Sequence, residues 1–366
     1  MRVPCKLRQA VAPENSSMDP TLRVLTPGLL TTVQDLGRVG YQHLGVAVGG
    51  ALDPVSLCAA NALVGNEPGA GALEVAYVGP TLVVDADSAR LGFAGANATI
   101  EILPSEGAGI GTRIGSMRTF RLRRGEVVRI GSLSDAAVLY VAIEGGLRIE
   151  PALGSVSTYI RGGIGGLHGR ALVSVDRIPL RCNVAVERRE SRIQGLDLSP
   201  PPRFRAILGP QSDYFSEDGI SQLFECQYEV CAGSDRMGMR LKGPKLDHVR
   251  GFDIVSDGIA PGSIQVPGSG QPIVLLADRQ TTGGYPKIAT VVSGDLPALG
   301  RVPIGRKIAF EQVTIDVART LRRRLLDEIE RIGNRVVPLG DAEPDLTAHL
   351  LSSNLISGVA DARNWT

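Results

Sequence analysis

The stretch PIVLLADRQTTGGYPKIATVV, residues 272–292, is the most informative about the fold. It contains two apolar runs, and the segment between them is dense in hydrogen-bonding side chains and carries the pair Gly283-Gly284. Short apolar runs rich in Val, Ile and Leu, bounded by turn residues, are typical of buried β-strands. An ordinary hairpin with a long polar loop is one interpretation, but a two-residue turn would be enough to join the strands. The polar excess therefore favours a site at the strand end, where the glycines let the backbone approach a ligand closely.

Similar apolar runs recur along most of the chain, from Thr21 to about Phe310. Examples are EVVRIG (126–131), AAVLYVAIE (136–144) and RFRAIL (203–208), which are bounded mainly by Gly, Pro, Asp or Ser. The chain has 45 glycines, 23 prolines and only 4% aromatic residues, which favours many turns and short strands over long helices. The sequence therefore predicts a mainly β protein.

Only two stretches have the spacing of apolar residues that is typical of a helix. Residues 53–65 begin with Asp53 as an N-cap, place a proline in the first turn and end at Gly65. Residues 314–333 form a longer amphipathic pattern, in which Arg322–Arg324 fall on the solvated face. We therefore expect few short helices and one longer C-terminal helix.

A weak internal repeat divides the strand pattern into two halves. AAVLYVAIEGGLRI (136–149) resembles QPIVLLADRQTTGG (271–284), and two further pairs of segments match in the same order. We infer two related β lobes that meet near a proline-rich linker, and two such lobes create a cleft, a common location for ligand sites. The predicted organisation is a disordered tail at 1–20, a first lobe at 21–195, a second lobe at 203–312, and a helix with a tail at 313–366.

Composition and charge argue against several classes of function. The net charge is +1, which does not indicate the basic face that nucleic-acid binding needs. No window approaches the roughly 18 apolar residues of a membrane span, and the N-terminal segment lacks the apolar core of a signal peptide. The five cysteines are scattered, and the four histidines show no metal-ligand spacing. We expect a cytoplasmic protein with no metal site, no nucleic-acid partner and no membrane partner.

Four glycine-rich polar stretches lie at predicted strand ends. They are TPGLLTTVQDLGRVGYQHLG (26–45), TYIRGGIGGLHGR (158–170), GSDRMGMRLKGP (233–244) and the segment 262–287. Arginine provides a permanently charged fork for carboxylate or phosphate, and glycine turns expose backbone N–H groups to anions. One arginine in each stretch would form an anion site if all four converge; these are Arg38, Arg161, Arg236 and Arg279. The alternative is that each arginine is solvated or paired with a nearby carboxylate such as Asp35 or Asp278.

Other polar side chains also have a structural alternative. Lys287 is a candidate partner of phosphate or carboxylate, or else a solvated loop tip. Tyr41 and His43 add hydrogen-bonding groups to the first stretch, although a histidine is more often a structural residue. Glu74 lies inside an apolar strand, where a carboxylate must be paired or neutral, so it is a site candidate as well as a candidate for a buried ion pair. GRVPIGRK (300–307) imitates a nucleotide-binding Walker A loop, but it lacks the Lys-Ser/Thr pair and the helix that such a loop requires.

Three of these stretches together resemble a known family. PGLLTTVQDLGRVGYQHLGVAVGGALD (27–53), SDRMGMRLKGPKL (234–246) and GSIQVPGSGQPIVLLADRQTTGGYPKIATV (262–291) resemble the biotin-dependent carboxyltransferase-like family. The family includes the C subunit of 5-oxoprolinase, proteins once named allophanate hydrolase subunit 2, the antagonist of the Kip sporulation kinase inhibitor, and half of the carboxyltransferase domain of urea carboxylase. The resemblance extends over roughly residues 22–315.

The resemblance implies two cyclophilin-like β-barrel lobes, and it also implies partners. The leading expectation is the C subunit of an ATP-dependent 5-oxoprolinase, working with a B-type or Kip-inhibitor-type subunit and an A-type subunit. In that system ATP, with magnesium shared with the partner, phosphorylates the amide oxygen of 5-oxoproline before the ring is hydrolysed to glutamate. One alternative is a carboxyltransferase acting on urea or an amide, for which biotin would arrive on another protein. The other is a non-catalytic regulatory partner of a Kip-inhibitor-type protein.

Residue chemistry and the resemblance together predict the members of the anion site. The predicted catalytic residues are Arg279, Lys287, Arg236 and Arg38. The predicted substrate-binding or anion-binding residues are Thr32, Gln34, Asp35, Tyr41, His43, Arg161, Gln265, Gln271, Asp278, Gln280, Thr282, Gly283, Gly284 and Tyr285. Fixed cations and loop amides of this kind would stabilise the anionic oxygen that develops in either reaction.

Overall fold

The structure is a computed structural model, and it describes residues 19–105 and 111–340. The predicted disordered tail at 1–20 lies almost entirely outside the described residues, and so does the end of the segment 313–366. The strands are β1 Thr21–Thr26, β2 Leu30–Gln34, β3 Ala72–Ala76, β4 Thr81–Val84, β5 Ser88–Gly95, β6 Ala98–Leu103, β7 Thr112–Ile114, β8 Arg118–Arg123, β9 Val127–Leu133, β10 Val138–Ile143, β11 Arg177–Pro179, β12 Ser191–Ile193, β13 Phe204–Leu208, β14 Gln227–Val230, β15 Gly238–Lys242, β16 Asp257–Gly258, β17 Ser263–Gln265, β18 Ile273–Leu275, β19 Thr282–Gly283, β20 Lys287–Val291, β21 Lys307–Gln312 and β22 Val336–Pro338. The α-helices are α1 Pro54–Val64, α2 Glu217–Glu225, α3 Leu296–Gly300 and α4 Ile315–Arg331.

The molecule is mainly β, with few helices and one longer helix near the C-terminus, which confirms the predicted fold class. In the first lobe the strands pair into a six-stranded sheet, β11-β1-β4-β9-β6-β7, and a seven-stranded sheet, β2-β3-β10-β5-β8-β12-β22. Their inner faces share one apolar core that includes Leu22, Leu82, Phe93 and Val128. Period-2 alternation explains this arrangement, because β9 buries Val128 and Ile130 and exposes the residue between them.

The second lobe is a closed barrel with the strand order β13-β20-β17-β18-β15-β14-β21. It closes where β13 runs parallel to β21, with Phe204 opposite Phe310 in the ladder. Both phenylalanines are buried in a core that also contains Tyr228 and Ile264. The stretch 272–292 therefore supplies two strands of this barrel, β18 and β20, and its polar segment lies at their ends.

Two of the helices form where their local signals predict them. The Asp53 carboxylate accepts a hydrogen bond from the Val55 N–H at 3.0 Å and caps α1, and Gly65 ends this helix with φ of 76°. The helix α4 is capped by Thr314 and leaves Arg322–Arg324 exposed. After α4 the chain returns to the first lobe, since β22 pairs with β12.

The prediction of only two helical stretches was wrong, because α2 and α3 also form. Ser216 caps α2 through a 3.0 Å hydrogen bond from the Gly219 N–H. Only Gly219 and Leu223 are buried in this helix of nine residues, so its apolar stripe is too short to reveal it in the sequence. With five residues, α3 is too short to show a helical period at all.

Candidate functional site

Arg236 joins the two lobes through a buried network of charges. It is 6% exposed and holds both oxygens of Asp278, with its Nε 2.8 Å and its Nη2 3.0 Å from them. Its guanidinium also donates to Glu74 and to the Gly50 carbonyl in the first lobe. Burial acts to lower the pKa of Arg236, but the carboxylates of Glu74 and Asp278 outweigh burial and raise it. The guanidinium of Arg236, which the sequence predicts to bind an anionic ligand, is therefore already paired with two carboxylates of the chain.

Glu74 is paired, as a buried carboxylate must be. Besides Arg236, it accepts hydrogen bonds from the hydroxyl of Tyr140 and, at 2.9 Å, from the backbone N–H of Leu52. Burial raises the pKa of Tyr140, and the neighbouring carboxylates of Glu74 and Asp53 raise it further. Tyr140 therefore stays protonated and serves as a donor to this network.

Arg38 lies close to the same network. It is 1% exposed and donates to the carbonyls of Ser157 and, at 3.5 Å, Ala152. A Cβ added at Gly49 would lie 3.3 Å from its Nη1 and 3.6 Å from the Asp278 Oδ1, so the two groups face each other across the space beside this glycine. Burial lowers the pKa of Arg38, although the charges of Asp35 and Asp278 oppose the effect. Its Nη1 has no hydrogen-bond partner within the described ranges.

The other predicted residues of the first stretch have structural partners or lie apart. Asp35 accepts from the N–H groups of Gly37 and Val156, both at 2.7 Å, and so fastens two loops together. Gln34 donates to Thr32 at 3.0 Å and to the Thr158 carbonyl at 3.1 Å, and the side chains of both Gln34 and Thr32 are buried. Tyr41 and His43 lie at a 3-10 helix, Gln42–Leu44, where His43 is exposed.

Gly165, in the glycine-rich stretch 158–170, lies against the loop whose carbonyl groups bind Arg38. It has φ of 70°, and a Cβ there would lie 2.1 Å from the Ser157 carbonyl oxygen. Gly165→Ala should therefore lower the free energy of unfolding by about 1–3 kcal/mol more than Gly163→Ala, because an overpacking cost is added to the left-handed backbone cost of about 1 kcal/mol. Gly163 is the matched control, since its φ is 61° and no atom lies within 4 Å of the position that its Cβ would take. Urea denaturation of both variants measures the difference, and equal losses would contradict the close approach.

Arg279 and Lys287 are buried in the second lobe, apart from the Arg236 network. Arg279 donates to the carbonyls of Ile259 at 3.2 Å and Leu276 at 3.4 Å, and burial lowers its pKa. Lys287 donates to the Asp257 carboxylate at 2.7 Å and so links β20 to β16; this hydrogen bond holds the pKa of Asp257 below its usual range. No carboxylate lies in ion-pair range of Arg279 in the part of the chain that the structure describes.

Gly283 and Gly284, the glycine pair of the stretch 272–292, lie close to other segments of the second lobe. A Cβ at Gly283 would lie 2.7 Å from Ile259 and 2.8 Å from the Gln265 amide nitrogen, and the Gly284 carbonyl accepts from the Ile254 N–H at 2.8 Å. Thr282 is exposed and forms β19 with Gly283. Gly283 therefore lies in the short antiparallel pairing of β19 with β16, and Gly284 follows directly after it.

Four of the predicted residues do meet around one cavity of about 200 Å³ between the lobes; they are Arg161, Gln265, Gln280 and Tyr285. Arg161 reaches it from the first lobe, and the other three belong to the second. The Gln280 amide donates to the Gln265 carbonyl oxygen at 3.2 Å, and Gln265 donates to the Tyr285 backbone carbonyl at 3.4 Å. Arg161 and Tyr285 are exposed, so a guanidinium and a phenol remain available to a ligand. We call this space the small cavity.

The charged lining residues of the small cavity that the sequence analysis missed are Asp235 and Arg240. Both lie in the stretch 233–244, in which Arg236 was the arginine predicted to belong to the anion site. The missed signal was the alternation of β15, which buries Met239 and Leu241 and points Arg240 outward. Gln271 does not reach the small cavity, and it binds both backbone groups of Gly243 at 3.0 and 3.1 Å.

Among the described residues, no group of three His, Cys, Asp or Glu side chains is placed to hold a metal ion. A search of the same residues finds no helix with the length and apolar character needed to span a membrane.

Comparison with known proteins assigns the chain to a family. The model of the carboxyltransferase domain, subdomain A and B, matches residues 44–312. The chain belongs to this carboxyltransferase domain family. It is 35% identical to the 5-oxoprolinase C subunit of Escherichia coli over 305 residues, which cover 82% of this chain and 94% of that protein. It is 36% identical to the same subunit of Haemophilus influenzae over 306 residues, covering 82% of this chain and 95% of that protein.

Among solved structures, this family member is similar to the urea carboxylase of Kluyveromyces lactis. The TM-score is 0.76 at 25% identity, and the match covers 89% of this chain but 30% of the urea carboxylase. The predicted family is therefore confirmed.

Proposed function

We propose that the chain is the C-type subunit of an ATP-dependent 5-oxoprolinase and acts with a B-type, Kip-inhibitor-type subunit and an A-type subunit. The observation that carries the proposal is the extent of the match, which covers 94% of the E. coli C subunit and only 30% of the K. lactis urea carboxylase. The similarity therefore extends over nearly a whole 5-oxoprolinase subunit, at more than a third sequence identity.

In the proposed reaction the amide oxygen of 5-oxoproline forms a bond to the γ phosphorus of ATP. The bond between that phosphorus and its bridging oxygen breaks, ADP leaves with the electron pair, and the proton of the ring N–H passes to solvent. Magnesium would be carried on the phosphates of ATP and shared with the partner subunit. Catalysis of such a step depends on positioning and on cations near the transferred group. The small cavity supports this role, because Arg161 offers a fork that matches the carboxylate of 5-oxoproline.

Predicted catalytic roles for Arg38, Arg236, Arg279 and Lys287 stay predictions. All four side chains are buried, and each already donates to groups of the chain. We infer that they shape and support the cleft, while Arg161 and the glutamine pair contact the substrate.

A biotin-dependent carboxyl transfer to urea or an amide is the second candidate. The family model and the similarity to the K. lactis urea carboxylase favour it. Biotin would then arrive on another protein, because no Ala-Met-Lys-Met type of motif occurs in the sequence.

Reconstitution with A-type and B-type subunits tests the proposal. We expect ADP and glutamate to accumulate together from ATP and 5-oxoproline only when all three proteins are present. A carboxylated product from carboxybiotin and urea, formed without ADP release, would support the second candidate instead. Tight binding to the B-type subunit with no turnover in either assay would identify a regulatory partner.

A further inference from the structure

A larger cavity of about 740 Å³ adjoins the small cavity on the second lobe. The two share Arg240, Ile273 and Tyr285 as lining residues, so they adjoin at these side chains, and we call the pair of cavities the trough. The volume of the larger cavity lies within the range of about 300–1,000 Å³ that small-molecule sites occupy. The trough can therefore hold two ligands end to end, a small one and a larger one.

Positive charge without a carboxylate partner lines this trough. Arg240 and Lys242 alternate with the buried Leu241, so both project from the same outward face of β15. With Arg161 they make three cations, and none has a carboxylate in ion-pair range within residues 19–105 and 111–340. Asp235 is the one acid among the lining residues, and it accepts from the N–H groups of Met237 and Gly238 at 2.8 and 3.1 Å. The trough is therefore suited to an anionic ligand.

The larger cavity also provides apolar surface next to these cations. Pro267, Pro272 and Ile273 line it together with the hydroxyl of Ser269. Tyr285 is 42% exposed at the junction of the two cavities, where its phenol can donate to a ligand. Apolar walls beside fixed cations suit a nucleotide, since the ring faces of its base stack on apolar surface and its phosphates are anionic.

Two other cavities offer an anion fewer unpaired cations. A groove of about 620 Å³ between the lobes is mostly apolar, and Arg236, its cation, is already bound by Glu74 and Asp278. A cavity of about 410 Å³ near the linker contains Arg301, which is paired with Asp53 at 2.7 Å, and the exposed Arg306, but the carboxylate of Asp135 also lines it.

We propose that ATP binds in the larger cavity, with its triphosphate along Arg240 and Lys242. Its γ phosphoryl group then lies at the junction beside Arg240 and Tyr285 and faces a 5-oxoproline molecule held in the small cavity. This placement rests on the proposed function and adds to it the site of the nucleotide on this chain. The placement also accounts for the contact between the two cavities, because the γ phosphoryl group must pass from ATP in one cavity to 5-oxoproline in the other.

Kinetics of the reconstituted complex test the placement. Lys242→Gln should raise the KM for ATP by about 10- to 100-fold, the loss expected for one hydrogen bond to a charged group, and leave the KM for 5-oxoproline nearly unchanged. Lys242 lines only the larger cavity, which separates the two effects. Lys307→Gln is the matched control, because it removes the same charge from an exposed strand position of the same barrel outside both cavities.

Alkylation of Cys231 provides a second measurement that needs no turnover. This free cysteine lines the larger cavity, whereas Cys182 is exposed in the first lobe and serves as an internal control. A non-hydrolysable ATP analogue at about ten times its Kd should slow alkylation of Cys231 in the complex about tenfold and leave Cys182 unaffected, as mass spectrometry of the peptides would measure.

The outcomes separate this inference from the proposed function. Normal turnover of ATP and 5-oxoproline, with an unchanged KM for ATP in Lys242→Gln and no protection of Cys231, would overturn the nucleotide site and leave the function standing. Absence of 5-oxoproline turnover, with selective protection of Cys231 by the analogue, would overturn the function and retain the nucleotide site.

Discussion

Replacing Arg236 with methionine should lower the free energy of unfolding by about 3–5 kcal/mol, the usual cost of removing one partner from a buried ion pair. The substitution leaves the carboxylates of Glu74 and Asp278 buried, 4% and 6% exposed, without their cation. It also removes a link between the lobes, because Glu74 and Gly50 lie in the first lobe and Asp278 in the second. Urea denaturation of the variant and the parent protein measures the difference.

The matched control is Arg319→Met, which breaks an exposed pair with Asp316 on α4 and should cost less than about 0.5 kcal/mol. The pH dependence of the free energy of unfolding supplies a second check. Since the pKa of Arg236 is raised, its contribution persists at all pH values below its ordinary pKa and is lost only above that value. A loss below about 1 kcal/mol would contradict the ion-pair network.

Arg161→Gln should lower kcat/KM for 5-oxoproline by about 100-fold in the reconstituted complex, because it removes a fixed cation that faces the substrate. Arg161 lines the small cavity only, so the KM for ATP should stay within about threefold of the parent value. The side chain is exposed and has no hydrogen bond within the described ranges, and the free energy of unfolding should therefore be unchanged.

Arg323→Gln, an exposed position on α4, is the matched control and should keep the parent kinetics. An unchanged kcat/KM in Arg161→Gln would remove the small cavity from the site. A parallel loss of stability would instead assign Arg161 a structural role.

Local patterns predicted much of the fold correctly. The cap at Asp53 and the stop at Gly65 bound α1, and the short apolar runs at 126–131, 136–144 and 203–208 overlap β9, β10 and β13. The same reasoning missed α2, because a helix of nine residues with two of them buried shows too short an apolar period. It also missed β22, whose three residues find a partner only when α4 returns the chain to β12.

The candidate site was predicted less completely. The sequence placed a polar site at the strand ends and named Arg161, Gln265, Gln280 and Tyr285, which surround one cavity. It could not distinguish them from Arg236, which has the same chemistry and the same glycine-rich setting. The carboxylate that neutralises Arg236 belongs to Glu74, 162 residues away, and no local pattern reveals that contact.

Propensity and periodicity act over a few residues, and they were enough to predict a mainly β chain in two lobes with arginines at its turns. The state of each arginine depends on long-range contacts, because a guanidinium beside a buried carboxylate is neutralised and one without such a partner is available to a ligand. Packing the lobes together leaves Arg236 paired in the interior and Arg161 exposed at a cavity. The location of free positive charge is therefore a property of the assembled lobes.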